Sequence, residues 1–420
     1  MKNCNPGIKI GVVGPINPKY FKKYLYKDSI DVNQSNVTAN SVNRLVESYI
    51  LEGYFVRVFT ITTDSKTYIL KGENLEIVVI GTGIFKSHKY PKLNRYYSNL
   101  VCSFLYPKKL INALNKSISD LDILHAHWTY DYAFAASKYT KQIPVVCTVR
   151  DWAPYIYRMS NFRQKVLFVK KKILAGKVLK NKSLKFVANS YYTKELLSAI
   201  QPDKDIPIIF NSIQDDAILG DRNAYCCETK TIRIVSIASA LNDKRKNIES
   251  LLTAFRGLLN SYPNSQLVLI GDIEASTRKN WEDKNLLNRV AFYGRANQDE
   301  IFKVIDNSSF MVHPSLEETF GNILLEGMAR RIPVIGGYKS GAVPQVLGEG
   351  RFGILCNVQD SNDIEKCMKH VIENPQEVNV IVNNAIVELK KTYVASVVTC
   401  KHLKLYSDII NRYKDERIDS

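Results

Sequence analysis

Cysteine chemistry is the first thing the sequence withholds. It has eight cysteines but no C-x-x-C pair, and only Cys226 and Cys227 are neighbours, so neither a disulfide framework nor a thiolate metal cage is supported. No apolar run approaches the roughly 18 residues a membrane helix needs, so no bilayer crossing is expected. The N-terminal Ile8–Gly14 run is too short and too soon polar for a secretory signal, which sets a cytoplasmic expectation. Short repeats, low-complexity segments and basic tails are also missing. Carboxylates are scarcest where lysines are densest: not one Asp or Glu lies between Asp151 and Glu195. Residues 1–214 hold 32 Lys+Arg against 14 Asp+Glu, while residues 215–420 hold 26 against 27. All of the net charge of +17 therefore sits in the first half, and a basic half beside a neutral one implies an anionic partner. Nucleic acid, an acidic membrane surface and phosphorylated lipids are the candidates. The first has no nucleic-acid-binding motif to go with it.

What is present reads as an ordinary globular chain of about two domains, 420 residues with 45% apolar and 24% charged side chains. Lys9–Gly14, Phe55–Thr60, Leu75–Ile80, Ile123–His127, Pro144–Val149, Leu184–Ala188 and Ile206–Phe210 read as strands, with a helix over Ser41–Glu52. Gln214–Lys230 breaks the pattern. The alternation restarts with strands at Ile232–Ile237, Gln266–Gly271, Val290–Tyr293, Ser309–Val312 and Pro333–Ile335, and helices at Asn247–Leu259, Gln298–Asn307 and Asn322–Arg330. This predicts an α/β fold of two Rossmann-like parallel-sheet domains, 1–214 and 231–394, with a linker at 215–230 and a helical tail. Such sheets bind ligands beyond the carboxyl ends of their strands, which places the expected site in a cleft between the domains.

The richest segment runs from Pro314 through Glu317-Glu318-Thr319-Phe320-Gly321-Asn322-Ile323 to Glu326 and Ala329. It follows a strand, turns at Gly321 and opens a helix near Asn322. A helix start offers N–H groups and a positive dipole end that suit a phosphate, and Gly321 permits close backbone approach. Glu318 before the helix and Glu326 one turn inside it are carboxylates able to accept hydrogen bonds from paired sugar hydroxyls. The competing reading is a buried turn followed by a helix whose glutamates face solvent. Lys244-Arg245-Lys246-Asn247 precedes another helix, where cations could neutralise a departing diphosphate; taken alone it also fits a solvated loop.

With these motifs in order, the second half resembles the nucleotide-sugar domain of retaining GT-B glycosyltransferases of the family 4, "glycosyl transferases group 1" type. The Glu-x7-Glu spacing of Glu318 and Glu326, Phe320-Gly321, Lys246 before its helix, Val290–Arg295 and Pro333-Val334-Ile335 carry the likeness. In the first half it is carried by His125–Trp128, Pro144–Thr148, Val187–Ser190 and Ile208–Ile213. The resemblance implies a tail, 395–420, that crosses back to complete an acceptor-binding first domain. It implies hexosyl transfer from a nucleotide diphosphate sugar with retention, no required metal or cofactor, and a glycan or polyprenyl-diphosphate-linked acceptor, in surface polysaccharide biosynthesis (capsule, O-antigen or exopolysaccharide). Lys246, helped by Arg245, and the helix start at Asn322 and Ile323 would neutralise the diphosphate. Glu326 would hold the ribose. Glu318, with Thr319, Phe320 and Gly321, would hold the donor sugar, and Gly294 and Arg295 would border the base. Gly14, His127, Arg150 and Asp151 would lie on the acceptor side, with Arg150 standing where relatives often carry a catalytic histidine. Glu318, Lys246 and Arg150 are thus the catalytic candidates. A GT-B nucleotide-sugar epimerase and a noncatalytic basic nucleic-acid- or membrane-binding protein are the rival readings.

His125 and His127 alternate onto one strand face, but no third ligand stands at a useful spacing, so a strand-end histidine facing the cleft is preferred to a metal site. Arg163, Lys165, Lys170, Lys171, Lys172 and Lys177 are interleaved with Phe162, Val166, Val169, Ile173, Leu174 and Val178, the pattern of a helix with an apolar stripe and a basic face. A second basic and aromatic cluster runs from Lys86 to Lys109. Both favour docking of this half on an anionic inner membrane surface as a peripheral protein.

Overall fold

The computed structural model describes residues 7–27, 39–62, 66–82, 106–160, 162–220 and 231–418. The chain divides into one unit of residues 1–210 and 395–420 and a second of residues 211–394. The Lys86–Phe104 part of the second basic cluster and residues 221–230 of the expected linker lie outside the described residues.

The first unit is built on strands β1 (Lys9–Val13), β2 (Phe55–Thr62), β3 (Tyr68–Lys71), β4 (Leu75–Gly81), β5 (Ile123–His127), β6 (Val145–Val149) and β7 (Lys185–Ala188). They lie in the order β3-β4-β2-β1-β5-β6-β7. Every pairing is parallel except the β3–β4 edge hairpin, an element the periodicity did not reveal. The central strands are apolar on both faces because helices cover both. Val13 and Leu124 point into one layer with Leu110, Leu114 and Tyr132. Their neighbours Val12 and Ile123 point the other way, against Val42, Leu45 and Tyr49 of the Asn40–Leu51 helix. The C-terminal helix Ala395–Ile418 belongs to this second layer through Val398, Leu403, Tyr406 and Ile410.

The second unit has strands β8 (Arg233–Ala240), β9 (Gln266–Asp272), β10 (Val290–Gly294), β11 (Phe310–His313), β12 (Val334–Gly337) and β13 (Ile354–Cys356), all parallel, in the order β10-β9-β8-β11-β12-β13. Ile234, Leu267, Leu269, Phe310 and Val312 pack on Leu251, Leu252, Phe255 and Leu258 of the Ile248–Ser261 helix and on Ile364 and Met368 of Ser361–Glu373. The expected linker, 215–230, is described only as far as Gly220, and that part, with the chain from Asn211, packs into the second unit. Ile213 N–H donates to Tyr393 O (2.9 Å), Leu219 N–H to Ala329 O (3.0 Å), and Arg330 reaches Ala217 O (3.2 Å), so residues 211–219 are tied into the second unit.

Both sheets share one consequence of strand order. In the second unit the chain winds outward from β8 through β9 to β10, then returns to start again at β11 on the other side of β8. The loops after β8 and β11 therefore diverge and leave a crevice at the carboxyl ends of two adjacent strands. In the first unit the same reversal falls between β1 and β5.

Beneath the first unit's reversal lies a buried imidazole cluster. His125 stacks 4.1 Å from His127 and 5.1 Å from His402. Its Nε2 meets Thr148 Oγ1 at 2.7 Å, and Tyr406 OH lies 2.5 Å from its Nδ1 and 2.6 Å from Tyr49 OH. Burial, reinforced by repulsion from one another and from Arg150, pushes His125 and His127 well below the usual histidine range and His402 down to about 3. His125 is thus a neutral core group rather than a strand-end histidine facing a cleft. The unfolded chain protonates these rings near pH 6.5 while the folded chain does not, so the unfolded state binds more protons below that pH and stability falls on acidification. Thermal unfolding followed from pH 7.5 to 4.5 should show a steadily dropping Tm, with a shallower drop in His402→Leu; a flat profile contradicts the neutral cluster.

Candidate active site

Two loops at the second unit's strand reversal carry the site. After β8, the Asp243 carboxylate accepts from Arg245 N–H (2.9 Å) and starts the 3-10 turn Lys244–Lys246. Asn247 closes that turn at φ +53° and anchors it by donating to Val358 O at 2.6 Å. After β11, Leu316 N–H donates to Arg245 O (2.8 Å), fastening the second loop to the first. Glu318 is clamped by its backbone: its N–H reaches Ser340 O (3.3 Å) and its carbonyl accepts from Ala342 N–H (2.9 Å). Gly321 then takes φ +88° and ψ +64° as the N-cap of helix Asn322–Ala329, and no side chain caps that helix start. A Cβ on Gly321 would lie 2.9 Å from Leu324 Cδ1 and 3.8 Å from Glu318 Cγ, so the turn is closed to other residues and Glu318 stands beside it.

The side chains converge on one carboxylate. Lys246 Nζ lies 2.5 Å from Glu318 Oε1, and His313 Nε2 donates to the same oxygen at 3.1 Å. Burial opposes the Glu318 charge, but Lys246 and the His313 hydrogen bond overcome it and hold this carboxyl well below the ordinary carboxylate range. Glu326 is buried within the helix. Phe320 is buried edge-on to Tyr393 with ring centroids 5.9 Å apart. Asn322 Oδ1 accepts from Asn211 Nδ2 (2.8 Å), joining the helix start to the incoming chain. The arrangement presents a helix start, a lysine and the Glu318 carboxylate at one crevice, a combination suited to a phosphorylated, hydroxyl-rich ligand.

Lys246, Glu318 and the Gly321 turn are thus brought together, with Thr319 and Ile323 as their chain neighbours. The Arg245 guanidinium, next in the chain to Lys246, is directed at Asp243 instead, with Nη2 2.6 Å from Oδ2. Gly294 ends β10 at φ +80°, while the side chain of Arg295 is 81% exposed and pairs with Asp272. His313 was not singled out in the sequence. Its only signal there is a titratable residue closing a strand, five positions before Glu318.

In the first unit, Gly14 follows β1, His127 ends β5 and Arg150 follows β6. Arg150 Nε donates to His127 Nδ1 at 3.0 Å, and a Cβ on Gly14 would come within 3.1 Å of the His127 ring. Burial among neutral rings lowers the Arg150 guanidinium to about 10. Trp128 turns the chain off β5 at φ +64°. Asp151 accepts from Tyr130 OH at 2.5 Å. Asp120 and Asp122, which have the D-x-D form, are engaged by Arg57 (2.5 Å) and Lys9 N–H (2.7 Å). Among the described residues no group of three His, Cys, Asp or Glu could hold a metal ion.

The helix Phe162–Leu179 departs from the expected pattern. Leu174, Ala175, Val178 and Leu179 are buried, but Val169 and Ile173, one turn apart, are 42% and 54% exposed. They share the outward face with Lys172 and Lys177. The apolar stripe is narrower than the sequence suggested, and the basic face has an apolar centre. No helix among the described residues is long and apolar enough to cross a membrane.

Comparison with known proteins gives two family-model matches. Residues 38–217 match "Glycosyltransferase Family 4" and residues 228–387 match "Glycosyl transferases group 1". An uncharacterized glycosyltransferase of Methanocaldococcus jannaschii is 22% identical over 77% of this chain and 87% of its own. Among solved structures, sucrose-phosphate synthase from Thermosynechococcus elongatus superposes with a TM-score of 0.74 at 16% identity, covering 96% of this chain and all of that one. The Anabaena HepE protein in complex with UDP-glucose gives 0.64 at 15%, over 96% of this chain and all of its own.

The Gly321 turn can be tested directly. Gly321→Ala forces an L-residue into left-handed backbone, costing about 1–2 kcal/mol, and pushes on Leu324. A Tm lowered by several degrees, with weakened nucleoside diphosphate binding in calorimetry, is expected.

Proposed function

We propose, on the premise that this chain is a GT-B glycosyltransferase with a family 4 domain followed by a glycosyl transferases group 1 domain and moves a sugar from a nucleotide sugar, that it does so with retention of anomeric configuration and without a required metal. The observation that carries this reading is the Lys246–Glu318 pair set beside the Gly321 helix start, at the strand reversal of the second unit. Cleavage of a glycosyl diphosphate builds negative charge on the leaving oxygen. Groups that interact more strongly with that charge than with the intact donor accelerate the step. Lys246 and the amides opening the Asn322–Ala329 helix are such groups. Glu326 holds the ribose hydroxyls, and Glu318 accepts from hydroxyls of a hexosyl donor.

The acceptor is a glycan or a polyprenyl-diphosphate-linked sugar in surface polysaccharide assembly. Gly14, His127, Arg150 and Asp151 are its first-unit contacts. The outward face of the Phe162–Leu179 helix supports access to such an acceptor at a membrane. Val169 and Ile173 enter the headgroup region while Lys172 and Lys177 meet anionic lipid, each lysine worth about 1 kcal/mol near the surface.

Lys246→Ala and Glu326→Ala should each lower transfer by about a hundredfold or more, with a Tm below the parent, because each removes a largely buried charged group from its surroundings, and a circular dichroism spectrum that stays native. Wild-type turnover in both removes the assignment. Nuclear magnetic resonance of the product's anomeric proton reports retention, and donor incubated without acceptor separates a transferase from an epimerase. Flotation with vesicles containing anionic lipid should capture the chain at low salt, release it at high salt, and fail for Val169→Glu with Ile173→Glu.

A further inference from the structure

We propose that His313 is a positioning residue that keeps Glu318 fixed and aimed at the donor sugar while Lys246 turns to the diphosphate. The inference rests on the donor-site reading above and adds a residue to it. Lys246 cannot serve two anions equally. Without ligand its Nζ lies 2.5 Å from Glu318 Oε1, and a bound diphosphate draws it away. A carboxylate this enclosed, left with no donor, would swing, take up a proton or retain the lysine, because an uncompensated buried charge is costly. His313 prevents this. Its Nε2 donates at 3.1 Å to the same Oε1 that Lys246 contacts, so the carboxylate keeps one fixed hydrogen bond when the lysine leaves.

His313 is built for that role. It is the last residue of β11, in register with Gly336 of β12, and it is buried, so the sheet sets the direction of the ring. Glu318 is held by its backbone against Ser340 and Ala342, so the loop is fixed at both ends of the contact. The groups around Glu318 are the charged Lys246 and Arg245 from the turn after β8, the His313 imidazole from β11, and Glu317 beside it. Arg245 acts on Glu318 through space while its own guanidinium stays on Asp243. Among the described residues, His313 is therefore the short-range side-chain donor that remains once Lys246 has moved. Glutamine can place an amide N–H near the imidazole Nε2 position, whereas leucine fills the space with no donor.

The experiment compares His313→Leu and His313→Gln with the parent. In the full-length protein without ligand, the 13C carboxyl resonance of Glu318 is titrated. In His313→Leu its midpoint should move up by about one pH unit or more, and in His313→Gln it should stay near the parent. With the nucleotide sugar that the parent turns over fastest, His313→Leu should lose about tenfold or more in kcat, with its acid limb shifted upward. Inhibition by the free nucleoside diphosphate should change less than about twofold, and His313→Gln should regain most of the rate. Leu and Gln variants that both match the parent in carboxyl titration and in kcat overturn the proposal, as does equal loss in both with unmoved pH limbs, which marks a merely structural residue. A parent that turns over no nucleotide sugar overturns the donor-site reading instead, while the carboxyl titration still judges His313.

Discussion

A parallel sheet whose strand order reverses beside its first strand must leave two diverging loops at the carboxyl edge of neighbouring strands. Much else in residues 211–394 follows from that constraint. The loop after β8 brings Lys246, the loop after β11 brings Glu318, and the end of β11 itself brings His313. These residues are up to 72 positions apart in sequence yet share one carboxylate oxygen. The Leu316–Arg245 backbone bond joins these two loops, and the Ala342–Glu318 bond ties the second of them to the loop after β12. Charge placement is thus a property of topology before it is a property of any single side chain.

The electrostatic state that results is preorganised but not idle. Lys246 is engaged by Glu318 and not free in solvent, so an incoming anion exchanges one partner for another instead of ordering a mobile chain. The exchange leaves Glu318 ionised only if something else donates to it. Arg245, the residue just before Lys246, is withheld by Asp243 and contributes field rather than contact. The helix beginning at Asn322 adds a positive dipole end whose direction is set by Gly321.

The first unit handles charge differently. At its own strand reversal it packs neutral imidazoles and tyrosines around Arg150, and burial rather than pairing sets their protonation. Exposed cations stand instead on the outward face of the Phe162–Leu179 helix, where Lys172 and Lys177 flank the exposed Val169 and Ile173. In the sequence those two residues look like part of an apolar stripe, since 162, 166, 169 and 173 follow one another at spacings of four, three and four. Which 100° sector is buried depends on what the helix leans against, here the packing partners of Leu174, Ala175, Val178 and Leu179.

Most strands of the two sheets, the Asn40–Leu51 helix and the helix after Gly321 were legible from periodicity, because burying an apolar face imposes a repeat of 2 or 3.6 on any chain; the three-residue β13 is too short to show one, and Ile206–Phe210 forms a single bridge, Ile208 to Ala188, instead of the expected strand. The Glu318–Glu326 spacing and Lys246 were legible as well, since a helix start followed by carboxylates is a local pattern. The edge strand Tyr68–Lys71, half exposed, carries too weak a repeat to be seen. The attachment of residues 211–219 to the second unit rests on backbone bonds to distant carbonyls, which leave no composition signal. Sequence alone therefore determined the two-sheet class, the basic first half and the residue types of the site. Tertiary structure alone decided that His313 joins Lys246 on Glu318, that Arg245 is occupied, and that His125 is a core group. The reason is physical: a hydrogen bond depends on where atoms lie to within a few tenths of an ångström, and chain order constrains that position only after the sheet has closed.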